Sequence, residues 1–157
     1  MDKLHKLAKS IISYLFATYN DFDEVVRVRQ SHENSADYEH NIIRLNLRDD
    51  EDFGFMRHLR ECHSCELNGV SPMLWTILHE VGHFMTANEI PPQDYDEAIS
   101  TKVLLTLYGD KIKTDENLQN LYFNTATEWA ATEWAVNYTE NFYEEALVFS
   151  RELEALR

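Results

Sequence analysis

The stretch Trp75–Thr86, WTILHEVGHFMT, constrains the fold more than any other part of the chain. Trp75, Ile77, Leu78, Val81, Phe84 and Met85 wrap it in apolar side chains on nearly all sides, the pattern of a buried core helix. Yet it also carries His79, Glu80 and His83. Burying three titratable groups without partners is costly, so the fold has to bring a partner to them. Gly82 adds a second demand. Glycine inside a helix is about 1 kcal/mol less favourable than alanine, a cost that makes sense where another backbone or a substrate comes close.

The helix has a clear start. "NGVSP" breaks the chain, Ser71 is a good N-cap, and Pro72 suits the first helical position. A helix from about Pro72 to Asn88 is expected. Residues i and i+4 share a helix face, so His79 and His83 can point a ring nitrogen at one ion. Neutral imidazoles so placed suit zinc, at about 2.0–2.1 Å. Glu80 is offset by about 100° around the helix. It is placed to reach a water activated by the ion, to act as general base for attack on a carbonyl, and to pass the proton to a leaving amine.

Catalytic zinc takes three protein ligands and keeps one position open. After His83 the chain runs "FMTANEIPP", with no third histidine, and Glu89 cannot easily fold back on the ion. The third ligand is therefore expected from a later helix, where "ATEWA" occurs twice, at Ala126–Ala130 and Ala131–Ala135. Its glutamates, Glu128 and Glu133, lie about 140° apart on a helix, so only one can face the ion. The face of Glu128, with Leu121, Asn124, Ala131, Ala135 and Phe142, is small and apolar, as close packing against the motif helix requires. The face of Glu133, with Ala126, Asn137, Glu140 and Glu144, drifts into solvent. Glu128 is the preferred ligand and Glu133 the alternative.

The rest of the chain reads as a small α+β domain, mostly helical. Leu4, Leu7, Ala8, Ile11, Ile12 and Leu15 recur at helical spacing in a first amphipathic helix, with Lys3, Lys6 and Lys9 on its solvated face. "DEVVRVRQ" (Asp23–Gln30) and "NIIRLNL" (Asn41–Leu47) read as strands, with "SHENSADYEH" as a long hairpin loop between them. A small antiparallel sheet of two or three strands, packed on the motif helix, is expected. "DDEDFGFMRHLREC" reads as a helix with an acidic start, "EIPPQDYDE" as a loop, and "DEAISTKVLLTLYGD" as a helix ended by Gly109. From about Thr114 the chain is helix-forming almost to Arg157, with a break expected near Thr139–Asn141.

At 157 residues one domain spanning 1–157 is expected. A formal net charge of −14 argues against nucleic acid or an anionic membrane surface as partner. No apolar run approaches the roughly 20 residues of a membrane span, and no secretory signal is read at the start. A reducing cytoplasm is the expected compartment, so Cys62 and Cys65 are read as thiols rather than a disulfide. Cys62-His63-x-Cys65 has no second cysteine pair to complete a metal site. Tyr138, Tyr122, Tyr95 and His63 are eligible to stabilise an oxyanion, and the sequence does not select among them. Trp129 and Trp134 are read as core.

The segments "ILHEVGHFM" and "TEWAATEWAVNY" resemble the ImmA/IrrE-type metallopeptidases, especially their short phage and prophage members. These are gluzincins, with His-Glu-x-x-His on one helix and a Glu ligand in a later motif that reads roughly Glu-x-x-Ala-(Asp/Asn)-x-(Phe/Trp)-Ala. Glu128 takes the ligand place, Ala131 the first Ala, Trp134 the aromatic and Ala135 the final Ala. Thr132 stands where Asp or Asn is usual, a departure expected to weaken the hydrogen bond to one ligand histidine. Aligning Glu133 instead puts Asn137 in the Asp/Asn place but loses the Ala and the aromatic.

The resemblance implies a zinc-dependent peptidase but not its target; a protein or peptide in the cytoplasm, such as a phage- or host-regulatory protein, is the expected substrate. It also implies an edge strand that binds extended substrate by strand addition, for which Asn41–Leu47 is the candidate. The alternative is a catalytically silent zinc-binding interaction protein of phage or prophage origin. Glu80 favours the enzyme, because a purely structural site has no need of that carboxylate. A metal-free helical scaffold is disfavoured by the buried polar cluster.

Overall fold

A computed structural model describes residues 1–19, 25–48, 54–65 and 68–157. Its centre is α3, Pro72–Thr86, which begins as the sequence predicts: the Ser71 side chain accepts a hydrogen bond from the Met73 N–H, and Pro72 fills the first turn. Leu74, Trp75, Ile77, Leu78 and Val81 are completely buried. A helix apolar all round needs neighbours on every side, and α3 has them in α1 (Lys3–Tyr19), β2 (Ser35–Asp37), β3 (Ile42–Leu45), α6 (Ala126–Asn141) and α7 (Tyr143–Ala155).

Its most extensive partner is α6. A Cβ added at Gly82 would lie 2.4 Å from the Ala131 carbonyl oxygen, so the α6 backbone occupies the place of a side chain. Ala131 and Ala135 are completely buried at this contact. The close approach that Gly82 implies in the sequence is therefore made by another helix.

The class is α+β and mostly helical, as expected, but the sheet differs. It is mixed, in the order β1-β3-β2, with β1 (Arg27–Gln30) parallel to β3 and β2 antiparallel to it. The segment read as a hairpin loop contains β2, whose three residues are too few and too polar to announce a strand. Asn41–Leu47 is not an edge, because β3 lies between the other two strands, and the edge nearer α3 is β2. Asp23 and Glu24 of the first predicted strand, and the acidic Asp49–Asp52 ahead of α2 (Phe55–Cys62), lie outside the described residues.

α1 buries Leu4, Ala8, Ile11, Ile12 and Leu15 as its periodicity predicts, and Lys3, Lys6 and Lys9 are exposed. Pro92 starts a helix rather than ending a loop: α4 runs Pro92–Leu105, since proline is tolerated in a first turn. It passes into a 3-10 segment, Thr106–Lys113, in which Gly109 has φ 55°. The long C-terminal helical tract breaks twice. α5 (Glu116–Phe123) ends before Thr125, which caps α6 in an extended conformation, and Phe142 separates α6 from α7. Leu121 and Phe142 consequently leave the face shared by Glu128, Ala131 and Ala135, and both are exposed. Tyr14, Tyr19 and Tyr138 all donate to the Glu145 carboxylate, tying α1, α6 and α7 together.

Asp2 fastens the start of α1. Its Oδ1 accepts from the His5 N–H at 2.9 Å and lies 2.7 Å from His5 Nδ1, while His5 Nε2 accepts from the Leu47 N–H at 3.3 Å. The His5 backbone and ring, with Arg48 beside them, hold the Asp2 carboxyl well below the usual carboxylate range. A depressed folded-state pKa adds stability above the unfolded value, lost as pH falls. Asp2→Asn should therefore lower stability at neutral pH and reduce its acid dependence below about pH 4. Denaturation at a series of pH values checks this, and parallel curves for the two proteins would contradict it. Gly82→Ala should destabilise despite better helix propensity, by about 1–3 kcal/mol, because the clash is with backbone. Urea unfolding measures it.

Candidate metal centre

α3 sets His79 and His83 one turn apart, and α6 brings Glu128 against both. His83 Nε2 lies 2.6 Å from Glu128 Oε2, and His79 Nε2 lies 3.4 Å from Glu128 Oε1. One ligand atom from each of the three residues lies within 4.8 Å of the others, a buried group that could hold a metal ion. Among the described residues it is the only such group. Glu133, the alternative third ligand, is exposed on α6, and Glu89 is exposed in the 3-10 turn after α3.

The hydrogen-bond network fixes how the imidazoles present themselves. Thr132 Oγ1 donates to the Glu128 carbonyl at 2.9 Å, which can only accept. Its remaining capacity faces His79 Nδ1 at 3.1 Å, so Nδ1 carries a hydrogen and Nε2 is the ring nitrogen turned towards Glu128. The bond that Thr132 was expected to weaken is thus made. On the other side, the Tyr38 hydroxyl lies 3.0 Å from His83 Nδ1. With Nδ1 committed to Thr132, His79 Nε2 is the ring nitrogen available for a cation shared with Glu128, 3.4 Å away. Two nitrogens and a carboxylate oxygen form a donor set that zinc accepts.

Both glutamates are buried, but their surroundings push them apart. Burial acts to raise Glu128, and His83 and His79 more than offset it, holding the carboxyl well below the usual range. Glu80 has no such contact. Burial pushes its carboxyl up to about 7, with His79 and Lys102 pulling it down and Glu128 pushing it up. Its Oε2 is buried and has no hydrogen-bond partner. The site therefore contains one ionised carboxylate and, one residue from His79, a second whose proton-accepting oxygen is uncommitted.

Several neighbours carry no sequence motif. Lys102 of α4 places Nζ 3.2 Å from Glu128 Oε2 and 3.2 Å from Thr127 Oγ1, with the Tyr122 ring 5.4 Å away. Phe55 of α2 meets the His79 ring edge-on at 4.9 Å and stacks on Phe123. Tyr38 lies in the stretch that reads as a loop, and a lone lysine among Ile99, Val103 and Leu104 is the one visible hint of Lys102.

Of the tyrosines eligible for oxyanion duty, Tyr122 borders the cluster and Tyr95 is 6.5 Å from Tyr38 between ring centroids. Tyr138 is committed to Glu145, and His63 lies tilted against Trp129, 4.1 Å between ring centroids, beside His58. Neither Cys62 nor Cys65 is in a disulfide. Among the described residues no helix is long and apolar enough to cross a membrane.

No protein-family model matches the chain, and no curated protein or solved structure matches it either. The site has to be read from its own chemistry.

Thr132→Val keeps the shape of the side chain but leaves His79 Nδ1–H without its acceptor. If the group holds a metal, affinity for added zinc should fall by about 10–100-fold, and Thr132→Ser should recover most of it. Competition titration against a chromogenic chelator measures both.

Proposed function

We propose that the chain is a zinc-dependent peptidase that hydrolyses a peptide bond in a protein or peptide substrate. The observation that carries this reading is Glu80 Oε2, a buried carboxylate oxygen without a partner, beside a His-His-Glu group that could hold a metal ion. A cluster built only for stability has no use for it, since an unsatisfied buried polar atom costs about 1–3 kcal/mol. The resemblance of the two motif segments to ImmA/IrrE-type peptidases supports the same reading.

His79, His83 and Glu128 would hold the zinc, which supplies Lewis acidity for polarising a carbonyl and activating a water. Glu80 takes a proton from the attacking water as its oxygen bonds to the carbonyl carbon. It then delivers that proton to the amine nitrogen as the C–N bond breaks. A carboxyl raised to about 7 suits both halves of this exchange. Thr132 and Tyr38 keep the imidazoles oriented. Tyr122, which borders both cavities at the cluster, is the tyrosine placed to donate to a carbonyl oxygen as it gains charge. The edge available for an extended substrate is β2 rather than Asn41–Leu47.

Purified protein should contain about one zinc per chain, and Glu80→Gln should retain it while abolishing proteolysis. Comparing host or phage proteomes exposed to wild type and Glu80→Gln tests the activity directly. Cleavage that survives in Glu80→Gln would refute the mechanism.

A further inference from the structure

Two cavities meet at the cluster. One, of about 740 Å3, is bordered by His79, and the other, of about 430 Å3, by His83. Asn34, Glu80, Tyr122 and Glu128 border both. Each motif histidine therefore faces a different arm of one cleft, with the reacting groups at the junction.

The arms differ in chemistry. The His79 arm has an apolar floor formed by Leu47, Phe55, Met73 and Phe123, all buried, with half-buried Met56 at its margin. The His83 arm is bordered by Asp37, Tyr38, Arg44, Tyr95 and Lys102, with Ala36 and Ile99 as its aliphatic members. Ser35 Oγ in that arm is buried without a partner, as is Glu80 Oε2 at the junction. Unsatisfied polar atoms beside an apolar floor match a ligand that offers peptide groups along its length and a greasy side chain on one side only. The cations bordering the two arms are already paired, Lys102 with Glu128, Arg44 with Asp37 at 3.6 Å, Lys113 with Asp110 at 3.8 Å and Arg157 with Glu154 at 3.7 Å, so none is left to clamp a chain-terminal carboxylate.

From this geometry we infer the substrate class: an internal stretch of extended polypeptide, with a large aliphatic or aromatic side chain flanking the reacting bond on the His79 side. That side chain lies against Leu47, Phe55, Met56, Met73 and Phe123, and polar residues follow on the His83 side. The inference rests on the peptidase reading of the same site and adds its direction and selectivity.

Two series of zinc-binding probes test it on the zinc-loaded protein: peptidyl hydroxamates and succinyl hydroxamates, which extend from the metal in opposite directions. Within each series the residue next to the metal-binding group is Leu, Phe, Gly or Asp. One series should prefer Leu and Phe over Gly and Asp by about tenfold or more, and the other should show no apolar preference. Blocking the far end of a probe should leave affinity unchanged. Met56→Lys, at a half-buried margin position, should abolish the preference, read as the ratio of Leu to Gly probe affinity in zinc-loaded protein.

Equal affinities within both series, an apolar preference in both, a need for a free chain end, or a preference untouched by Met56→Lys would each overturn this inference alone. Failure to load zinc, or zinc-loaded protein that binds neither series, would overturn the peptidase reading and this inference with it.

Discussion

Gly82 and the Ala131 carbonyl leave no room for a side chain between them, and the site depends on that approach. Gly82 lies one turn from His79 and next to His83, while Ala131 lies one turn from Glu128. Pressing these two backbones together places a carboxylate of one helix against two imidazoles of the other. The same approach delivers Thr132 to His79 Nδ1. Small residues on α6 thus do more than fill space: they set the separation at which three side chains from two helices can share one ion.

Around that contact the fold gives two chemically identical side chains opposite characters. Glu128 sits against His79, His83 and Lys102 and is held ionised. Glu80, the next residue after His79, is buried with one oxygen unpartnered, and burial pushes its carboxyl up to about 7. Environments that push paired carboxylates apart are how one site can divide charge stabilisation from proton transfer. Neither role can be exchanged, since each follows from which face of its helix the residue occupies.

Much of this was legible in the sequence where the signal was local. Ser71-Pro72 marks the start of α3, helical spacing puts His79 and His83 on one face, and the small residues beside Glu128 distinguish it from Glu133. What was not legible depends on residues distant in sequence. β2 is three polar-flanked residues that become a strand only because β3 offers an edge. The central place of β3 follows from the chain crossing from one edge of the sheet to the other, which no local pattern records. Tyr38, Phe55 and Lys102 reach the cluster from three separate elements, and none belongs to a motif. Thr132 reads as a departure from a family pattern, yet a hydroxyl with one hydrogen and two lone pairs fits between the Glu128 carbonyl and His79 Nδ1.

The pairing of Lys102 with Glu128 bears on the order of events in the life of the molecule. A buried carboxylate lacking a counter-charge would weigh heavily against the folded state. Here an ammonium from the same chain supplies that charge at 3.2 Å. With that charge in place the helices do not need an ion to offset the buried carboxylate, unlike small domains whose metal is the core. An ion bound at this group would meet a carboxylate whose negative charge is already partly answered. Discrimination among metals at such a group would fall to the hardness of the donors and the shape they enforce, rather than to bare electrostatic pull.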